Sequence, residues 1–568
     1  MSQQEPQEEA LGKAYDSRLM KRLMTYVRPY LWHTVAGALS ILVIGGLQIV
    51  MIIIVQRAID DYIGVGDLDG LLFISLVYAG VMALKFGLEY FQVMVTARMG
   101  QEVQQDIRTQ VFSKLQGMDL KFFDKNPVGR LVTRVTNDVN VLNELFSSGV
   151  INIIGDIVML VGYVSLMLYY DWKISLAIFA ILPLLGIATV IFRRKVRVIY
   201  RELRLTIARI NAFVSERISG IQIIKLFAQE DRTFAEFDER NRLALDQNLK
   251  QVFYYAIFFP VVELIGACSL AILVVYGGYQ ISENLLTFGE LTAFILLVER
   301  FYRPIRDLSE KYNLLQASMA SSERIFQLLD TEPEQLVEKT VVVPLSDSTM
   351  RAKEKPLGAI KFSNVTFAYV GDDYVLKDVS FEIEPGENVA IVGATGAGKT
   401  SLISLLFRFY DYQSGTITLD GKDLREYDLR DLRSRLGLVL QDVQIFSGTV
   451  ADNVRLGDNT IDDERVRWAL SEVGFHRAMG FESISKLNID SEVKERGATF
   501  STGQKQLLSF ARALAFDPAI LALDEATSSV DTATERLIQE ALRRIMNKRT
   551  SRVTVAISPS SRNTTRLV

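Results

Sequence analysis

The residues Gly393-Ala394-Thr395-Gly396-Ala397-Gly398-Lys399-Thr400 fit the spacing G-x-x-x-x-G-K-[ST]. Glycines at that spacing let backbone N–H groups close on a phosphate, and a helix starting there adds positive potential. Lys399 would neutralise β/γ-phosphate oxygens, and Thr400 would offer its hydroxyl to Mg²⁺. The apolar run Asn388–Val392 before the motif reads as a strand and Ser401–Phe409 after it as a helix, the context such a loop needs. A second candidate is Ala519-Ile520-Leu521-Ala522-Leu523-Asp524-Glu525, an apolar run ending in two carboxylates, as in a buried parallel strand. Open α/β sheets place ligands at the carboxyl ends of their strands. Asp524 is therefore expected to hold Mg²⁺ through water, and Glu525 to polarise an attacking water as general base. Each pattern has a plainer reading: a glycine turn for the first, a helix cap with a first-turn acid for the second. Their joint presence, in order, favours phosphate chemistry.

These residues occupy the second half of a chain of 568 residues, long enough for about three or four domains. Hydrophobic residues make up 49% and mean hydropathy is +0.18, which points to membrane spans and excludes disorder, collagen-like repeats and coiled coil. The net charge of −4 gives no sign of a nucleic-acid partner. A lone cysteine, Cys268, rules out an intrachain disulfide and a cysteine metal site. Six apolar runs crowd residues 31–302: Val35–Val55, Leu71–Ala97, Leu145–Tyr170, Ile174–Phe192, Gln251–Ile281 and, weakest, Thr287–Tyr302 with Glu290, Glu299 and Arg300. Lys and Arg are absent from Asp60–Gly70 and Tyr276–Glu290 but abundant in 98–134 and 193–250. That bias predicts a multi-pass protein of the cytoplasmic membrane with both termini inside. The two long basic segments read as helical extensions of the spans, interrupted at Pro127-Val128-Gly129 and at Ser219-Gly220. Residues 17–30 alternate basic and apolar, as in an interfacial helix or a plain helical continuation of the first span. Lys85, Glu89, Asp156 and Glu263 fall within or near spans, where charges either line a cavity or mark where helices leave the bilayer. The expected division is 1–30 cytoplasmic N-terminus and interfacial helix, 31–320 transmembrane domain, 321–357 linker, and 358–568 nucleotide-binding domain.

With six spans followed by one phosphate-binding domain, the chain resembles a half-transporter of the ATP-binding cassette (ABC) exporter family. The most specific mark is Phe500-Ser501-Thr502-Gly503-Gln504-Lys505-Gln506, similar to the family's L-S-G-G-Q signature with Phe for Leu and Thr for the first Gly. The resemblance implies an all-α six-helix membrane domain and an α/β P-loop domain. It implies a dimer in which Ser501, Gly503 and Gln504 meet the γ-phosphate held by the opposite subunit. It assigns Tyr369 to stack on adenine, residues 393–401 including Ser401 to the phosphates, and Gln441 to sense Mg²⁺ and the membrane domain. Thr400, Gln441 and Asp524 would serve Mg²⁺, Glu525 and Gln441 catalysis, and Asp531 the loop crossing the dimer seam. Glu495-Arg496-Gly497 resembles the segment that meets the coupling helices, placed by the family at Phe122–Gly129 and around Ser219-Gly220. The implied activity is ATP-driven export or flipping of a drug-like molecule, lipid or peptide. The text of Phe122–Asp138 and Asp307–Ser321 is similar to the multidrug branch, which favours a heterodimer over a homodimer.

One departure stands at the end. The family follows its last core strand, here Arg552–Ile557, with a histidine contacting γ-phosphate, whereas this chain has Ser558-Pro559-Ser560 and only His33 and His476 in all. Two readings compete: a subunit with a degenerate switch, or a reading frame shifted after about Ile557, leaving the domain without its usual end. Either reading puts efficient hydrolysis in question, and the alternative function is an ATP-binding, hydrolysis-impaired subunit or truncated product that acts only with a catalytic partner.

Overall fold

The computed structural model describes residues 16–333, 358–394, 396–524, 536–540, 553–557 and 566–567. Packing divides the chain into two units, residues 1–112 with 132–330, and residues 113–131 with 331–568.

The first unit is helical. α1 (Ser17–Val27) starts where the Asp16 carboxylate accepts the Arg18 N–H at 2.7 Å. α2 (Leu31–Arg57) carries the first apolar run, and α3 (Leu68–Gln116) continues the second far past the length a bilayer needs. Beyond α4 (Leu120–Lys125) and α5 (Val128–Thr133), which group with the second unit as far as Leu131, come α6 (Val139–Glu144) and α7 (Val150–Tyr170). The run Ile174–Phe192 is not one helix: α8 (Trp172–Phe179) stops and α9 (Leu182–Ser219) restarts with Pro183 in its first turn. Proline lacks the N–H an interior helical position must donate, so it is tolerated at a start. α10 (Ile221–Leu226) follows at Ser219-Gly220, then α11 (Glu230–Ser282) and α12 (Phe288–Asp330).

Among the described residues, five helical stretches have the length and composition to cross a membrane; the sixth expected run, in α12, does not. The physical reason is its position. Ala293, Phe294, Leu297 and Val298 of α12 are buried with Ile52 of α2 and Tyr163 and Met167 of α7. The face of α12 that packs inward is apolar, while Glu299 is exposed on the other side. Asp60 fixes its start: its carboxylate accepts the Gly289 N–H at 2.7 Å and the Thr287 hydroxyl at 2.6 Å. Lower down, Lys311 of α12 pairs with Asp156 of α7, and Arg324 donates through Nε to Asp138 at 3.0 Å. Lys85 and Glu89 pair with each other one turn apart on α3, and Glu263 is exposed on α11. The helix α12 also continues through residues 321–330, ten positions past the linker boundary read from the sequence.

The second unit is α/β. β1 (Ile360–Ala368), β2 (Tyr374–Ile383), β4 (Ser414–Leu419) and β5 (Lys422–Asp423) form an antiparallel sheet in the order β2-β1-β4-β5. β3 (Asn388–Ile391), β6 (Leu436–Val439), β9 (Ile520–Asp524), β10 (Val553–Ile557) and β11 (Arg566–Leu567) form a parallel sheet ordered β11-β3-β10-β9-β6. α13 (Lys399–Leu406) packs Ile403, Leu405 and Leu406 into a core with Val389, Ile417 and Ile520, drawn from both sheets. A second core joins α15 (Val450–Arg455), α16 (Asp463–Glu472), α17 (Phe475–Ala478) and α18 (Thr502–Ala515) to Val439 and Leu523. α14 (Leu429–Arg435) leads into β6, and β7 (Gly448–Thr449) pairs with β8 (Glu492–Val493).

Candidate functional site

Parallel strands present their carboxyl ends along one edge. Across β10, Ile557 lies opposite both Ile391 of β3 and Asp524 of β9, so the strand that feeds the glycine loop and the strand that ends in Asp524 finish in the same row. Val439 of β6 pairs with Leu523 one row earlier, which puts the exposed Gln441 just beyond that edge.

The loop leaving β3 needs glycine for geometric reasons. Gly398 has φ +86°, and a Cβ there would stand 2.7 Å from Leu376 Cδ2 and 3.3 Å from the Val375 carbonyl oxygen. Gly396 also has φ +86°. No side chain caps α13, so the N–H groups of its first turn are open to an anion. Lys399 Nζ donates to the carbonyls of Gly393 at 2.8 Å and Ala394 at 3.0 Å, which holds the ammonium across the mouth of the loop. Ala397 N–H closes the turn onto the Ala394 carbonyl at 3.0 Å. The Thr400 hydroxyl donates to Asp524 Oδ1 at 3.3 Å, and Asp524 is buried. A hydroxyl and a carboxylate beside an open helix N-terminus are hard oxygen donors suited to Mg²⁺ next to phosphate. The expected triphosphate and metal therefore fit the residues present.

Tyr369 follows β1 directly. Gln413 holds that strand end by accepting the Ala368 N–H and donating to the Ala368 carbonyl, both at 2.9 Å. The Tyr369 hydroxyl donates to Ser401 Oγ at 3.0 Å, so the aromatic and the P-loop helix are joined. Its ring meets Phe367 and Tyr410 edge-on, at 4.7 and 5.0 Å between centroids. The Tyr410 hydroxyl in turn donates to Asp124 Oδ2 at 2.5 Å. Burial and then the Asp124 carboxylate push this phenol above its usual range, so it stays a protonated donor.

The signature segment behaves differently from the P-loop. Ser501 caps α18: its Oγ accepts the Gln504 N–H at 3.3 Å while Gln504 Oε1 accepts the Ser501 N–H at 2.9 Å. Gln504 Nε2 also donates to the Ala478 carbonyl at 2.8 Å, so its amide serves the fold, while the Ser501 hydroxyl keeps its proton to donate. Gly503 is buried in the first turn, and Thr502 is exposed. Phe500 turns inward and meets Phe475 edge-on at 5.9 Å, part of the helical core. In Glu495-Arg496-Gly497 both Arg496 (φ +53°) and Gly497 (φ +60°) are left-handed. Arg512 ties α18 to the segment after Gln441: Nε donates to the Asn453 carbonyl at 2.9 Å and an Nη to the Gln444 carbonyl at 3.1 Å. Burial pulls this guanidinium below its usual range. Thr395, Glu525, Asp531 and the tail residues 558–565 lie outside the described residues.

Sequence reasoning brought together Lys399, Thr400 and Asp524, and the fold joins them. It missed Gln413 and Tyr410, and it read Asp124 only as part of the segment Phe122–Gly129, without its contact to Tyr410. The aromatic run Phe407–Tyr412 was the available signal for Tyr410, while its pairing with Asp124, 286 positions away, had none.

A helical unit with apolar stretches of membrane-crossing length and a P-loop α/β unit in one chain define an ATP-driven membrane transporter. The comparisons agree. Residues 34–305 match the ABC transporter transmembrane region, and residues 376–528 match the ABC transporter family of nucleotide-binding domains. The uncharacterized ABC transporter ATP-binding protein YknV of Bacillus subtilis is 36% identical over 96% of this chain and 88% of its own. The ATP-dependent lipid A-core flippase of Syntrophus aciditrophicus is 32% identical over 97% and 89%. The probable multidrug resistance ABC transporter ATP-binding/permease protein YheH of Bacillus subtilis is 34% identical over 85% and 70%. The chain belongs to the ABC transporter family and is an exporter that couples ATP binding and hydrolysis to translocation.

Proposed function

We propose that this chain is one half of a dimeric exporter of the cytoplasmic membrane, with both termini inside, that moves an amphiphilic small molecule or a lipid outward. The observation that carries the reading is the Thr400–Asp524 pair at an uncapped helix N-terminus, in one chain with apolar helices of membrane-crossing length. Residues 393–401 hold the phosphates, and Lys399 exchanges its loop carbonyls for β/γ-phosphate oxygens. Thr400, Asp524 and Gln441 would hold Mg²⁺, which when bound would supply charge neutralisation to the phosphates. Glu525 orients and deprotonates the attacking water. Ser501 and Gly503 face the nucleotide of the partner subunit, and the resemblance assigns Asp531 to the seam. ATP favours the closed pair of cassettes, and that differential affinity drives the spans from inward-open to outward-open.

The multidrug- and flippase-named relatives support an amphiphilic substrate, and the altered signature Phe500–Gly503 supports a heterodimer. The test is the full chain in proteoliposomes, alone and with a candidate partner subunit, assayed for ATPase and rhodamine 6G transport. Glu525→Gln is expected to keep ATP binding and lose at least about 100-fold in hydrolysis. Full ATPase in that variant would remove Glu525 from the role of base. Activity of the chain alone, equal to that with any partner, would overturn the heterodimer.

A further inference from the structure

The second unit contains a continuous path of contacts from the P-loop to α4. The Ser401 hydroxyl at the start of α13 accepts from Tyr369, Tyr369 lies edge-on against Tyr410 at 5.0 Å and 86°, and Tyr410 donates to Asp124 of α4 at 2.5 Å. Each link is short and directional. A hydrogen bond to an ionised carboxylate is about twice as strong as a neutral one. Perpendicular aromatic pairs also resist sliding, because the positive ring edge of one points at the negative face of the other. α4 is held at its other end by Asp119, which accepts the Phe122 N–H at 2.9 Å. Asp119 and Lys121 line a crevice of about 180 Å³ together with Tyr369, Tyr410 and Gln413. α4 therefore contributes to the same small space as the aromatic expected on adenine, and it follows α3 after three residues.

We propose that Tyr410 and Asp124 are a positioning pair that transmits nucleotide occupancy at Tyr369 to the segment 119–131. A base stacked on Tyr369 fixes its ring. The perpendicular contact then fixes Tyr410, and the hydrogen bond to Asp124 passes the constraint to α4. The inference rests on the ATP-driven exporter reading above and adds these two residues to it. It separates packing from hydrogen bonding: Tyr410→Phe keeps the ring against Phe367 and Tyr369 and removes only the hydroxyl.

The test uses the full chain in nanodiscs with Cys268→Ser, since Cys268 is the sole native cysteine, and a reporter Val128→Cys. Val128 is exposed, lies four residues past Asp124 and does not line the crevice. MgATP is expected to slow maleimide labelling of this cysteine by about fivefold, the low end of measured site-to-site couplings. Tyr410→Phe and Asp124→Asn should each cut that to less than about twofold, and the double variant should match the singles. The KM for ATP in Tyr410→Phe should stay within about twofold while coupled transport of rhodamine 6G falls. Undiminished ATP dependence in Tyr410→Phe, additive effects in the double variant, or no ATP dependence in the parent would overturn the pair. A parent with intact, Tyr410-dependent labelling and no rhodamine 6G transport would overturn the substrate reading and leave the pair standing.

Discussion

Phe500 stands where the exporter family has leucine, and its surroundings predict what reverting it will do. Its ring meets Phe475 edge-on at 5.9 Å and 83°, and Phe475 is fully buried in the helical core. An aromatic pair of this geometry contributes about 1 kcal/mol beyond area burial. Phe500→Leu forfeits that pair but keeps most of the buried volume, so it should cost about 1 kcal/mol. Phe500→Ala should cost about 2–3 kcal/mol, below the ~3–5 of a fully buried phenylalanine because Phe500 is only partly buried. For a domain of this size, each kcal/mol lowers Tm by about 2–4 °C. Thermal unfolding of the full chain in detergent, followed beside ATPase per folded molecule, checks both quantities. Phe500→Leu should lower Tm by about 2–4 °C and leave ATPase within about twofold, since the side chain points away from the open face of α18. A tenfold rise in ATPase with no change in Tm would refute this. Phe500 would then tune the nucleotide site instead of anchoring the helix that presents Ser501.

Gly398→Ala forces a Cβ to 2.7 Å from Leu376 Cδ2 at φ +86°, so the loop must shift; ATP affinity by equilibrium binding should fall at least about tenfold with the fold retained. Gly289→Ala places a Cβ 2.4 Å from both Asp60 Oδ2 and the Gln56 carbonyl, so the Asp60 cap on α12 should break, measured as a lower unfolding temperature that Asp60→Ala does not lower further. Asp452 is held below its usual pKa by the Thr449 backbone N–H and then the Thr449 hydroxyl in the capping box of α15. A depressed folded value means the stabilisation is complete above the unfolded pKa near 3.8 and is lost as pH falls through the folded one. Thermal melts across that acid window should show a pH-dependent loss of stability that is flattened in Asp452→Asn.

Much of the site was legible because its signals are local. The G-x-x-x-x-G-K-T spacing and the apolar strand ending in Asp524 each lie within a few residues, where backbone geometry alone dictates the pattern. The apolar runs announced the membrane unit for the same reason. The break between α8 and α9 was also in the text, as Pro183, but the surrounding hydrophobicity masked it. α12 was harder: Glu290, Glu299 and Arg300 interrupt its apolar run, while Ala293, Phe294, Leu297 and Val298 between them pack into the core with α2 and α7, so its own composition understates its role.

By itself the sequence determined the class of machine, the order of its two halves and the residues of the phosphate loop. Tertiary structure decided which distant residues meet: Thr400 with Asp524 across 124 positions, Tyr410 with Asp124 across 286, and Phe500 with the core instead of the site. The physical reason is range. Periodicity and turn chemistry act over a few residues, whereas such contacts depend on which elements share an edge of the sheet or a face of the core, and many sequences satisfy the same local rules.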